Sequence, residues 1–103
     1  MTLKTILAAA ALLATTSLAQ AADHTVTITG FSFQPANLTI AAGDTVTFVN
    51  KDGAPHTATA KRGGFDTGNL SRGKAAKITF ASAGSFAYFC KIHPSMTGSI
   101  KVN

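Results

Sequence analysis

The chain has 103 residues, a formal net charge of +5, three histidines, one cysteine, two methionines and no tryptophan. At that length one domain is expected, and 46% apolar with 13% charged residues describes a globular chain. One cysteine excludes an intramolecular disulfide framework and a four-cysteine zinc site, and three histidines are too few for a multi-copper oxidase.

In chain order, the first segment stands apart from the fold. Lys4 is followed by an apolar stretch from Ile6 to Ala14 and then by Ser17-Leu18-Ala19-Gln20-Ala21. That layout predicts a secretory signal peptide over 1–21 and a single domain over 22–103. The apolar run is shorter than the roughly 18 residues of a membrane span. Export implies an oxidising compartment, expected to be the periplasm, in which a lone Cys90 must be buried, paired with another chain or held by a metal.

After Ala22 the pattern is of short alternating runs rich in Thr, Val, Ile and Phe, divided by Gly, Pro, Asp and Asn. Strands are predicted at His24–Thr29, Phe31–Phe33, Leu38–Ile40 and Thr45–Asn50. After a Lys51-Asp52-Gly53 turn comes a run from His56 to Ala60. A loop follows over Lys61–Asn69, then strands at Lys77–Phe80, Gly84–Cys90 and Gly98–Val102. Seven to eight such strands predict an all-β, Greek-key antiparallel sandwich. Val26, Ile28, Val46, Phe48, Ile78 and Phe80 fall on inward faces, and the alternating phenylalanines read as core.

The chemistry lies in Cys90-Lys91-Ile92-His93-Pro94-Ser95-Met96, a thiolate, an imidazole and a thioether at three-residue intervals. From this composition such spacing arises by chance on the order of once in a thousand, so the cluster carries more weight than any strand pattern. Soft thiolate and thioether with imidazole suit copper and disfavour calcium or magnesium. A trigonal copper site needs a second imidazole, and His56 opens a strand directly after Pro55. Its start meets the loop after Cys90 at one pole of a Greek-key sandwich.

Tyr88–Ile100 together with Gly53–His56 resembles the cupredoxin, or type 1 blue copper, family. Phe31-Ser32-Phe33-Gln34-Pro35 and Gly43-Asp44-Thr45-Val46 extend the likeness, and the short ligand loop is most similar to the amicyanin branch. The resemblance implies one copper per chain, with His56, Cys90 and His93 as strong ligands and Met96 as the weak axial one. It also implies a soluble, monomeric, periplasmic one-electron carrier that works between redox partners and is not an enzyme. Many family members carry asparagine beside the first histidine ligand. Thr57 stands there in this chain, and its hydroxyl is expected to take over part of the bracing of the cysteine loop.

Lys51, Lys61, Arg62 and Lys91 are candidates for a basic rim that steers toward an acidic partner. They are too few and too poorly interleaved with aromatics for nucleic-acid binding. If cleavage follows Ala21, Ala22-Asp23-His24 has the donors of a square-planar Cu(II) or Ni(II) site, but His24 reads first as a strand residue. Two further readings stay open, a carrier or buffer that handles copper rather than electrons and a metal-free interaction module.

Overall fold

The computed structural model describes residues 20–103; residues 1–19, nearly all of the expected signal peptide at 1–21, lie outside the described residues. Eight strands form two four-stranded sheets packed face to face. They are β1 (Asp23–Thr29), β2 (Ser32–Gln34), β3 (Asn37–Ile40), β4 (Thr45–Asn50), β5 (Thr59–Ala60), β6 (Ala75–Thr79), β7 (Gly84–Phe89) and β8 (Thr97–Val102). One sheet runs β2-β1-β4-β6 and the other β3-β8-β7-β5. No helix of the described residues is long and apolar enough to cross a membrane.

The sandwich is the expected one, but its pairing is mixed. β1 pairs parallel with β4, and β3 with β8, while the other pairs are antiparallel. The cause is connectivity. β1 turns back into β2, the chain crosses to the second sheet as β3, and β4 returns beside β1 in the same direction. Alternation in a sequence fixes which face a side chain takes, not which neighbour its strand acquires.

Alternation places Val26, Ile28, Val46 and Phe48 fully inside. Ile78 packs against that cluster from its edge. The aromatic heart is Phe33, Phe48, Phe65, Phe80 and Tyr88, with ring centroids 4.7–5.8 Å apart. Phe65 belongs to it although it lies in the loop between β5 and β6. Offset and edge-to-face pairs at these spacings add packing energy beyond the area they bury.

The Tyr88 hydroxyl lies deep in this core with no hydrogen-bond partner, and burial pushes the phenol above its ordinary pKa. A Cβ on Gly98 of β8 would overlap the same ring, so this glycine is required by close approach. An unpaired buried hydroxyl costs stability that its removal returns. Tyr88→Phe is therefore expected to stabilise the domain by about 1 kcal/mol, read as a higher thermal midpoint; a lower midpoint contradicts the account.

Asp44 ties the start of β1 to the turn before β4. Its carboxylate accepts the Ala22 N–H at 2.9 Å, the Ala41 N–H at 3.0 Å and the His24 Nε2–H at 2.9 Å. His24 is thus a first-strand residue whose half-buried ring is engaged by Asp44. The Ala22 N–H first, then the His24 ring and the Ala41 N–H, hold the Asp44 carboxyl well below the usual carboxylate range, at a pKa of about 2. A carboxyl depressed on folding contributes stability that is complete above about pH 4 and is lost as pH falls through about 2. Asp44→Asn is expected to be less stable than the wild type at pH 7, with the gap closing toward pH 2 in denaturant titrations. A pH-independent gap would contradict it.

Candidate metal centre

The site is assembled from two segments, one following β4 and the other following β7. His56 comes directly after Pro55 and exchanges both backbone hydrogen bonds with Leu70, at 3.1 and 2.8 Å. The expected strand from His56 to Ala60 is reduced to that bridge and the two residues of β5. Pro55 has no N–H, the Thr57 N–H points at Cys90 Sγ (3.4 Å), and the Ala58 N–H goes to Thr67 Oγ1 (2.9 Å). Donors that would have built a ladder are spent on the site and the adjoining loop.

Cys90 directly follows β7 and opens the loop to β8. The Cys90 N–H donates to the Met96 carbonyl at 3.1 Å, and the Met96 N–H to the His93 carbonyl at 2.9 Å. Three predicted ligands converge. Cys90 Sγ lies 3.8 Å from His56 Nδ1 and 3.7 Å from His93 Nδ1, and the two nitrogens are 3.2 Å apart. A triangle with those sides has a point about 2.1 Å from all three corners, within the roughly 2.0–2.3 Å of metal bonds to imidazole nitrogen and thiolate sulfur. His56 and Cys90 are fully buried, and His93 is partly exposed. Met96, the expected axial donor, is buried in the same loop with 4% of its surface exposed.

Asp52 decides which nitrogen of His56 faces inward. Its Oδ2 lies 2.9 Å from His56 Nε2. An ionised carboxylate offers no proton, so Nε2 carries the hydrogen and Nδ1 presents a lone pair toward Cys90. The same carboxylate accepts the Gly30 N–H at 2.8 Å and the Phe31 N–H at 2.9 Å. The Phe31 N–H first, then the His56 ring and the Gly30 N–H, hold the Asp52 carboxyl below its ordinary range against an opposing push from burial. Asn50, fully buried, supports the turn beneath it. Its Oδ1 accepts the Asp52 N–H at 2.9 Å, and its Nδ2 donates to the Ala54 and Leu70 carbonyls at 2.9 and 2.7 Å.

Thr57 braces the cysteine loop as the sequence led us to expect. The Lys91 N–H donates to Thr57 Oγ1 at 2.9 Å. Thr59 Oγ1 donates to the Asp66 carboxylate at 2.9 Å, so the Thr57 hydroxyl donates to Thr59 at 3.0 Å and keeps a lone pair for Lys91. The chain of bonds closes on itself, because the Lys91 ammonium lies 2.6 Å from Asp66. That charge, expected on a basic rim, is therefore engaged in an ion pair.

Phe31 departs from expectation. Its spacing from Phe33 reads as core, yet its ring is 51% exposed, and with Ile92 it is one of two large exposed hydrophobics among the described residues. Gly30 and Phe31, at φ of 59° and 55°, form the two-residue connection of the β1–β2 hairpin, so Phe31 lies outside the pleat. Its ring stands edge-on to both imidazoles, with centroids 5.0 Å from His56 and 4.9 Å from His93. The signals for these missed residues were the Gly-x pair between two strands and a carboxylate four positions before a histidine.

A buried cysteine sulfur and two imidazole nitrogens within 4.8 Å of one another are a donor set suited to a soft metal of the copper type, carried on a β-sandwich. Residues 3–102 match the family described as Cupredoxin-like domain. The chain belongs to that family, whose metal is copper, and the donor set fits it. Amicyanin from Paracoccus versutus is 40% identical over 63% of this chain and 53% of its own length. Plastocyanin from Scenedesmus fuscus is 35% identical over 68% of this chain and 85% of its own. The chain thus spans only about half of the first relative.

Among solved structures, the copper(I) form of an amicyanin variant superposes with a TM-score of 0.73 at 28% identity, covering 84% of this chain and 87% of that one. A copper-containing nitrite reductase from Thermus scotoductus superposes with a TM-score of 0.75 at 36% identity, covering 79% of this chain but 22% of that one.

Thr57→Val removes the acceptor of the Lys91 N–H and leaves the Thr57 N–H on the sulfur. The metal-free protein is expected to lose about 1 kcal/mol, and the copper-loaded form to shift its thiolate absorption. Unchanged stability together with an unchanged spectrum would overturn the bracing role.

Proposed function

We propose that this chain is an exported, soluble, monomeric one-electron carrier in which His56, Cys90 and His93 would hold a type 1 copper, with Met96 as a weak fourth donor. The observation that carries the reading is the common point about 2.1 Å from the three donor atoms. Bound there, copper supplies a one-electron couple between Cu(II) and Cu(I). The chain's own part is to keep the donors from rearranging. His56 is fixed by Asp52, Cys90 by the Thr57 N–H, and the loop backbone by Thr57 Oγ1 and the Met96 carbonyl. A donor set that stays in place through both oxidation states keeps the rearrangement per electron small.

His93 is the most exposed of the three, and its ring is the exit we assign toward a redox partner. Phe31 and Ile92 supply exposed apolar surface, and Lys51, Lys61 and Arg62 are exposed cations suited to steering toward an acidic partner. Small, weak contacts suffice for redox encounters. With Met96 as fourth donor every position belongs to a protein side chain, which supports a carrier over an enzyme. The signal peptide over 1–21 and a periplasmic location belong to the same proposal, and the leader sequence supports them.

The exposure of His93 is also what a copper carrier or buffer would use. Fast electron self-exchange without loss of metal favours the electron carrier, and ready transfer of Cu(I) to a chelator favours the buffer. The test of the site is a Cu(II) titration of the protein and of Cys90→Ser. One equivalent is expected to give an intense blue thiolate band in the wild type and none in the variant. A pale spectrum that survives Cys90→Ser would overturn the proposal.

A further inference from the structure

Phe31 is a bulky residue in the left-handed region, at φ 55°, a conformation that persists only where the surroundings enforce it. The enforcement is visible. Both oxygens of Asp52 receive N–H groups of the Gly30–Phe31 turn, at 2.8 and 2.9 Å, and the Phe31 ring rests edge-on against His56 and His93. Oδ2 has two donors, the Phe31 N–H and His56 Nε2, each at 2.9 Å. The turn that carries Asp52 does not need its carboxylate, since it is closed by Asn50 through the Asp52 N–H and the Ala54 carbonyl.

Resting on the copper reading above, we propose that Asp52 is a positioning residue with two tasks: it aims His56 Nδ1 at the metal position and latches the Phe31 turn over the imidazoles, so that the copper potential and the conformation of that exposed turn are coupled. A carboxylate on the far nitrogen of a ligand imidazole makes the near nitrogen a stronger donor and favours the more highly charged metal. Because Oδ2 is shared, a change in the Nε2–H bond is felt by the Phe31 N–H. Linkage is reciprocal, so whatever displaces the turn alters the preference between Cu(II) and Cu(I). An exposed ring thereby becomes a lever on a buried ligand.

The experiment compares the wild type with Asp52→Asn, Phe31→Gly and the double variant. In Asp52→Asn the 10- to 100-fold loss of metal affinity usual on removing such a partner is expected to fall on Cu(II) and spare Cu(I), because the lost negative charge supported the more highly charged ion. At 59 mV per tenfold change for one electron, the potential rises by about 60–120 mV. In the metal-free protein, the amide protons of Gly30 and Phe31 are expected to lose their protection from hydrogen exchange in Asp52→Asn. An unchanged potential overturns the positioning task, and unchanged protection overturns the latch. Additive shifts in this double-mutant cycle overturn the coupling, and non-additive ones support it.

Should Asp52→Asn fail to fold, the wild type alone still decides the coupling. Amide shifts of Gly30 and Phe31 must differ between the Zn(II)- and Cu(I)-loaded forms, and identical shifts overturn it. A wild type that takes up no copper overturns the function proposed above and the tuning with it, while the exchange measurement on the metal-free protein separately decides the latch.

Discussion

Thr57 touches the cysteine segment twice, with its N–H on Cys90 Sγ and its hydroxyl under the Lys91 N–H, across 33 and 34 positions of sequence. Those two bonds bring the segment of His56 to the loop that holds Cys90 and His93. Farther from the metal position, the Lys91–Asp66 ion pair and the β5–β7 ladder join the same two segments. Asp52 orients a ring on the first segment, and the Met96 carbonyl closes the loop on the second. Neither sets the distance between the sides.

The two sheets make that joint rigid by packing aromatic rings beneath it. Tyr88 lies two residues before Cys90 and is fully buried among Phe33, Phe48 and Phe65. The strand that delivers the sulfur is therefore anchored in the densest part of the core. The unpartnered Tyr88 hydroxyl and the forced glycine at position 98 mark how closely β7 and β8 approach there. Close packing leaves little room for the donors to drift.

Much of this was legible in the residues, and the rest was not for definite reasons. β4 has the predicted bounds, and β1, β3, β7 and β8 lie within a residue of theirs, because period-two alternation is a direct image of a half-buried strand. The grouping of Cys90 and His93 was readable because the two are local in sequence and their residue types are rare in this chain. β5 was overestimated, since backbone donors near His56 bond to Cys90 Sγ and Thr67 Oγ1, which no periodicity reports. Phe31 was placed inside because two-residue spacing cannot show that a hairpin turn falls between the two phenylalanines. Parallel pairing was missed because partner choice depends on the crossings between sheets. Asp52 looked like an ordinary turn residue, and its importance comes from Gly30 and Phe31, more than twenty positions away.

The loop from Cys90 to Met96 carries two of the clustered donors and is also the plain connection between antiparallel neighbours. Its ends are fastened to each other by the Cys90 N–H and the Met96 carbonyl, so the sheets below sense little of what lies between. Insertions, deletions or exchanges within it alter the donor set without dismantling either sheet. For evolution this is a replaceable cartridge in a fixed housing. New redox behaviour can be sampled there at small risk to foldability.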